Sequence, residues 1–144
     1  MKLFNVLPNL KRQNSGATAV EFALIVPVFF VILFGVIFYG LIIGIGSSLQ
    51  HTAQEAARAS IAGMTDTERD SLARSRIQSL LSGSQLIRID ALTIATGSSS
   101  TDSSLWTVSL TYNIQASGLA NLARAFVVTP DMLKRSASYR NGGY

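Results

Sequence analysis

The sequence predicts an α+β protein: a long N-terminal transmembrane helix that continues as a stalk, then a short helix and a small antiparallel sheet. Three observations point there. The stretch from Phe22 to Gly46 is apolar and uncharged, and the next charged residue is Glu55. Beyond it, apolar residues keep a helical spacing to about Ala62 and take it up again after Thr65. From Leu86 onward that period gives way to the β-branched composition and alternation of strands.

The apolar run measures roughly 37 Å as a helix at about 1.5 Å per residue, more than the ~30 Å hydrocarbon core, so it can span with tilt. A cleavable secretory signal also has a basic start and an apolar core. Its core, however, is about 7–15 residues long and ends at a small-residue cleavage site, whereas this run is longer and leads into an amphipathic helix. Lys2, Lys11 and Arg12 precede the span, no acidic residue precedes Glu21, and only Arg58 is basic just after it. The positive-inside rule therefore places the N-terminus in the cytoplasm and residues 47–144 outside, in the periplasm or extracellular.

On the stalk, Leu49, Ala53, Ala56, Ala57 and Ile61 share one face, with Gln50, Gln54, Glu55 and Arg58 opposite; Glu55 and Arg58 are spaced for an i,i+3 pair. Gly63 can end this helix. Thr65 and Glu68 form a capping-box pattern, followed by Leu72, Ala73, Ile77, Leu80 and Leu81 at helical spacing and a stop at Gly83. Leu86 to Thr96 reads as a strand with a phase slip between Ala91 and Leu92, from either a bulge or a misplaced strand boundary. Gly97 to Ser104 is a polar hairpin loop, and Leu105 to Ala116 alternates strictly through Trp106, Val108, Leu110, Tyr112 and Ile114. Leu119, Leu122, Ala123 and Phe126 suggest a short helix before Pro130, and Leu133 to Arg140 a last strand. The helices are expected to cover one face of the sheet.

Composition narrows the chemistry. The chain has no cysteine, so disulfides play no part, and its net charge of +4 gathers into no basic cluster interleaved with aromatics, which argues against nucleic acid as a partner. His51, the one histidine, has no further metal ligands at motif spacing. Asp66, Glu68 and Asp70 suit a helix start better than paired acid and base, and no glycine-rich phosphate loop or nucleophile elbow is present. No enzyme, cofactor, metal site or small-molecule substrate is expected. Trp106, Tyr112 and Phe126 are expected in the core.

One ionisable group stands at the mouth of the span. A carboxylate at the edge of hydrocarbon is a functional hypothesis by default, set against a solvated helix-start charge. Glu21 is the fifth residue after Gly16, Ala17 is small, and Phe22 opens the apolar run. With the basic leader, the stretch Gly16-Ala17-Thr18-Ala19-Val20-Glu21-Phe22-Ala23-Leu24-Ile25-Val26-Pro27 resembles the start of TadE-like minor pseudopilins of the Flp (Tad, type IVb) pilus assembly system. Gln54-Glu55-Ala56-Ala57-Arg58-Ala59 is similar to their stalk. The resemblance is carried by residues 16–59; the remainder agrees only in layout.

The resemblance implies a cytoplasmic leader (1–16) removed by a prepilin peptidase between Gly16 and Ala17, a helix and stalk (17–63), and an extracytoplasmic domain (64–144). It implies residence in a bacterial inner membrane and contact with other pilins, pseudopilins and Tad assembly proteins. It further implies that Glu21, with Phe22 beside it, serves assembly by pairing with the new Ala17 amine of a neighbouring subunit. Two departures stand out. Phe38-Tyr39-Gly40-Leu41 is uncharged where many TadE-like chains carry an acidic residue followed by glycine and arginine, and Ala17 replaces the phenylalanine that often begins mature pilins, leaving no ground to expect N-methylation.

Gly40, Gly44 and Ser48 recur every fourth residue, a small-xxx-small stripe suited to close helix packing but also common in glycine-rich spans. Pro27 removes one backbone donor within the span. The function expected is that of a minor pseudopilin in assembly of a Flp/Tad-type pilus or related secretion machinery. A resident single-pass scaffold of that apparatus is the alternative, and a secreted binding or effector domain a third reading.

Overall fold

The computed structural model describes residues 15–99, 102–117, 126, 128 and 130–140. Its order is α1 (Ser15–Ser60), α2 (Asp66–Leu81), a 3₁₀ turn (Ile89–Ala91), β1 (Leu92–Ser98), β2 (Leu105–Asn113), a second 3₁₀ turn (Gln115–Ser117) and β3 (Met132–Arg140). The strands form one antiparallel sheet in the order β1-β2-β3. The α+β layout expected from the sequence is the one found.

α1 is a single helix that runs through Pro27 without interruption. Its two halves have different surroundings. From Gly16 to Gly40 the side chains are exposed, apart from the half-buried Val26, Phe34, Gly35 and Phe38. From Ile42 onward one face is buried through Ile45, Leu49, Ala53, Ala56 and Ala57. The small alanines let α2 and the sheet approach closely, and the burial is the dominant favourable term holding the domain to its stalk. Ser60 is buried too, its hydroxyl satisfied by the Ala57 carbonyl at 2.6 Å, and Thr52 does the same with the Ser48 carbonyl at 2.8 Å.

The turn into α2 is tight. Gly63 is buried, and a side-chain carbon there would stand 2.7 Å from the Arg69 backbone nitrogen. Arg69 donates from Nε to the Gly63 carbonyl at 3.0 Å and lies over the Trp106 ring, 5.8 Å from its centroid. The capping box forms as the spacing predicts. Thr65 Oγ1 accepts from the Glu68 amide at 3.2 Å, and Glu68 Oε2 accepts from the amides of Thr65 and Met64 at 3.2 and 2.8 Å. Ala73, Ile77 and Leu81 face the core.

β2 alternates as read from the sequence: Trp106, Val108, Leu110 and Tyr112 are buried, and so is Ile114 just beyond. β3 runs in the same direction as α1. Arg135 lies at Gly46, the Ser136 carbonyl accepts from Gln50 Nε2 at 3.2 Å, and Tyr139 stands beside Arg58. The start of β3 and the end of β2, paired as Met132 with Asn113, therefore form the end of the domain nearest the span.

Several expectations change. The first strand begins at Leu92 rather than Leu86, because Ala91 closes a 3₁₀ turn; the phase slip marks the strand's start, not a bulge. That strand runs on to Ser98, so the hairpin loop is shorter than expected, with the Ser99 amide bonded to the Leu105 carbonyl at 2.7 Å. β2 stops at Asn113 because its side-chain oxygen accepts from the amides of Gln115 and Ala116, an Asx turn that competes with the ladder. Ile61 lies past the end of α1 and is exposed, as is Leu72. Glu55 reaches Arg76 on α2 at 3.2 Å instead of Arg58 along its own helix. Of the short helix expected around Leu119, Leu122 and Ala123, all but Phe126 lies outside the described residues.

Candidate membrane and assembly site

The lower half of α1 presents an almost continuous apolar surface, with Phe22, Leu24, Ile25, Val28, Phe29 and Ile32 all exposed. A soluble core helix would bury such residues. α1 is long and apolar enough to cross a membrane, and it is the one such helix among the described residues.

Gly16 and Ala17 lie in the first turn, both exposed, and nothing comes within 4 Å of a side-chain carbon built on Gly16. Helix ends fray, and a helical glycine costs about 0.5–1 kcal/mol relative to alanine, so this turn opens easily into an extended strand. Glu21 is exposed and lies beyond the first turn, which contains no acidic residue. The helix dipole therefore does little for it, since that effect fades within the first turn. Ala17 and Glu21, four residues apart, share a helix face. Phe22 is also exposed.

Gly40, Gly44 and Ser48 are exposed while Ile42, Ile45 and Leu49 are buried, so the small-residue stripe is not what the protein's own domain packs on. Nothing lies within 4 Å of a side-chain carbon built at Gly40 or Gly44. Gly46, outside that stripe, is the glycine of this stretch that is packed, against the Arg135 guanidinium.

These features meet in one comparison. Residues 16–58 match the family of TadE-like proteins. The first helix is TadE-like. The TadE-like segment starts at Gly16 and ends two residues before α1 does, so α2 and the sheet lie outside the match. The similarity to TadE-like proteins is thus confined to the helix that is long and apolar enough to cross a membrane. No curated protein and no solved structure matches the chain.

Beyond the TadE-like segment, no group of three or more histidine, aspartate or glutamate side chains suited to a metal occurs among the described residues. His51 is exposed, beside Gln50, Gln54 and Arg135 in a shallow surface depression. Trp106 and Tyr112 are core residues, as expected. Phe126 is not in the domain core but stacked on α1. Its ring lies 5.1 Å from Phe34 and 6.0 Å from Phe38, centroid to centroid, extending a ladder in which Phe30, Phe34 and Phe38 follow at 5.8 and 6.4 Å. The fourfold spacing of those three phenylalanines was visible in the sequence; their partner in a distant segment was not.

Proposed function

We propose that the protein is a non-enzymatic minor pseudopilin, processed by a prepilin peptidase between Gly16 and Ala17, that takes part in assembling a Flp/Tad-type pilus or related secretion machinery. The observation that carries this is a coincidence of position. The TadE-like match begins at Gly16, the helix there is exposed and easily opened, and Glu21 stands one turn further along at the mouth of an apolar span.

Cutting before Ala17 would free an amine with an ordinary pKa near 7.7–8.0 at the level of the Glu21 carboxylate. The pair can close within one chain, through their shared face, or between neighbours in a helix bundle. In this reading the N-terminus is cytoplasmic, α1 crosses the inner membrane, and α2 with the sheet lies outside. Other pilins, pseudopilins and Tad assembly proteins are its partners.

The test is the intact mass of the mature protein from its own host, beside Gly16→Leu, which should retain the longer precursor. Equal mature masses in the two would remove the processing reading. Glu21→Ala should still be cut but lose co-isolation with partner pseudopilins.

The resident-scaffold reading draws support from the contact of Phe126 with Phe34 and Phe38, which ties the outer domain to the span itself. Sheared pili distinguish the two: a pseudopilin that enters the filament co-purifies with them, and a scaffold stays with the membrane. The secreted-domain reading fits less well, because α1 supplies much of the domain's core through Leu49, Ala53, Ala56 and Ala57.

A further inference from the structure

We propose that Phe126 and Val128 form a second membrane contact, which seats the outer domain among the acyl chains alongside α1. The inference rests on α1 crossing the membrane and is independent of the pseudopilin reading.

Depth carries the argument. Arg135 marks the polar end of the span, its guanidinium lying at Gly46. Phe38 and Phe34 are eight and twelve residues below that glycine, about 12 and 18 Å along the helix at 1.5 Å per residue. In a hydrocarbon core ~30 Å thick those rings lie well inside the bilayer. Phe126 touches both. A residue that lies between β2 and β3 is thereby held at a depth that only α1 was expected to reach.

The neighbouring exposure agrees. Val128 is 98% exposed and Met132, the first residue of β3, is 62% exposed. Both belong to the end of the domain nearest the span. In water these side chains would gain nothing from such positions, whereas in acyl chains each is favourably placed. Lys134 and Arg135 lie two and three residues further along β3 than Met132, where long cationic side chains can reach the headgroups above an apolar contact. Continuity with the apolar surface of α1 identifies lipid, and not a soluble partner, as the occupant.

The chain has no cysteine, so a single introduced thiol can carry an environment-sensitive fluorophore uniquely. Val128→Cys is the informative position, because the side chain packs on nothing that folding would miss. Val36→Cys, exposed on the span, and Met64→Cys, exposed at the α1–α2 turn, serve as lipid and water references. With the full chain in phosphatidylcholine–phosphatidylglycerol vesicles, quenching by acyl-chain nitroxide lipids is compared with quenching by aqueous iodide.

The Val128 reporter should follow Val36, answering several-fold more strongly to the nitroxide than to iodide, with Met64 the reverse. Adding Phe126→Ser should move the Val128 reporter toward iodide while leaving Val36 unchanged. A Val128 reporter quenched like Met64 would overturn the proposal. Shielding from both quenchers would also overturn it, by indicating a second copy or another protein as the cover, and so would an unmoved reporter in Phe126→Ser. If Val36 itself answered to iodide, the span would be wrong and the lipid contact would fall with it.

Discussion

The guanidinium of Arg135 lies across Gly46, its Nη2 3.0 Å from the point where a side-chain carbon would stand. This pairing brings β3 onto α1 at the upper end of the apolar run and sets a fixed positive charge at that level. The Arg135 side chain is further held by donating from Nη1 to the Lys134 carbonyl at 2.8 Å.

Two glycine substitutions should separate a soft neighbour from a hard one. At Gly46 the obstacle is the free end of a long side chain that can swing aside, and alanine is the better helix former by about 0.5–1 kcal/mol. Gly46→Ala should leave stability within about 0.5 kcal/mol. At Gly63 the obstacle is the Arg69 backbone at 2.7 Å, which cannot move without unseating α2. Gly63→Ala should cost about 1–3 kcal/mol, as overpacking does. Thermal unfolding of both variants in the same detergent checks this; equal midpoints would show that the turn is not constrained.

Thr65→Ala removes the acceptor of the Glu68 amide and should cost about 1 kcal/mol. The loss should be local. Hydrogen exchange ought to quicken in the first turn of α2 and leave the β2 amides unaffected.

Tyr112 is fully buried, and its hydroxyl accepts from the Arg88 amide at 3.3 Å and donates to the Leu86 carbonyl at 3.4 Å. Tyr112→Phe should destabilise by about 0.5–1.5 kcal/mol while keeping the packing. Faster amide exchange at Arg88 would confirm that the hydroxyl holds this segment, and unchanged exchange would place its anchorage elsewhere.

Asp70 couples α2 to β1. Its carboxylate accepts from the Thr96 hydroxyl and from Arg74 Nε at 2.8 and 2.9 Å, which hold its pKa below the ordinary 3.8. A lowered carboxyl pKa gives stability that is present above the ordinary value and lost as pH falls through the folded one. The group is partly exposed, so the effect should be no more than about 1 kcal/mol. Urea midpoints of the wild type and Asp70→Asn should differ at pH 6 and draw together below pH about 4. A constant difference down to pH 2 would assign the effect to packing.

Much of this architecture could be read from local pattern. The span, the capping box at Thr65 and the alternation of β2 are each specified by neighbours along the chain, and each stands where the spacing put it. The misreadings fall where a long-range or side-chain interaction overrides periodicity. Leu86 has the composition of a strand but lies in the segment that Tyr112 holds, and Asn113 ends β2 by capping its own backbone. Glu55 had Arg58 at i,i+3, yet α2 brings Arg76 within reach. At the candidate site, Gly16, Ala17 and Glu21 could be picked out because their pattern lies along one short stretch of chain. Arg135 over Gly46 and Phe126 on Phe34 could not, because no local period relates residues so far apart.

The continuity of α1 also has a mechanical side. The helix long and apolar enough to cross a bilayer is also the one on which the sheet is built, so turning or lifting one carries the other with it. A rod of this kind transmits torque. It can yield most easily at Pro27, where one backbone hydrogen bond is missing, below the level at which the domain grips. A push on the N-terminal end of α1 would reach the sheet as tilt about a pivot within the apolar run, and the sheet would swing as one body.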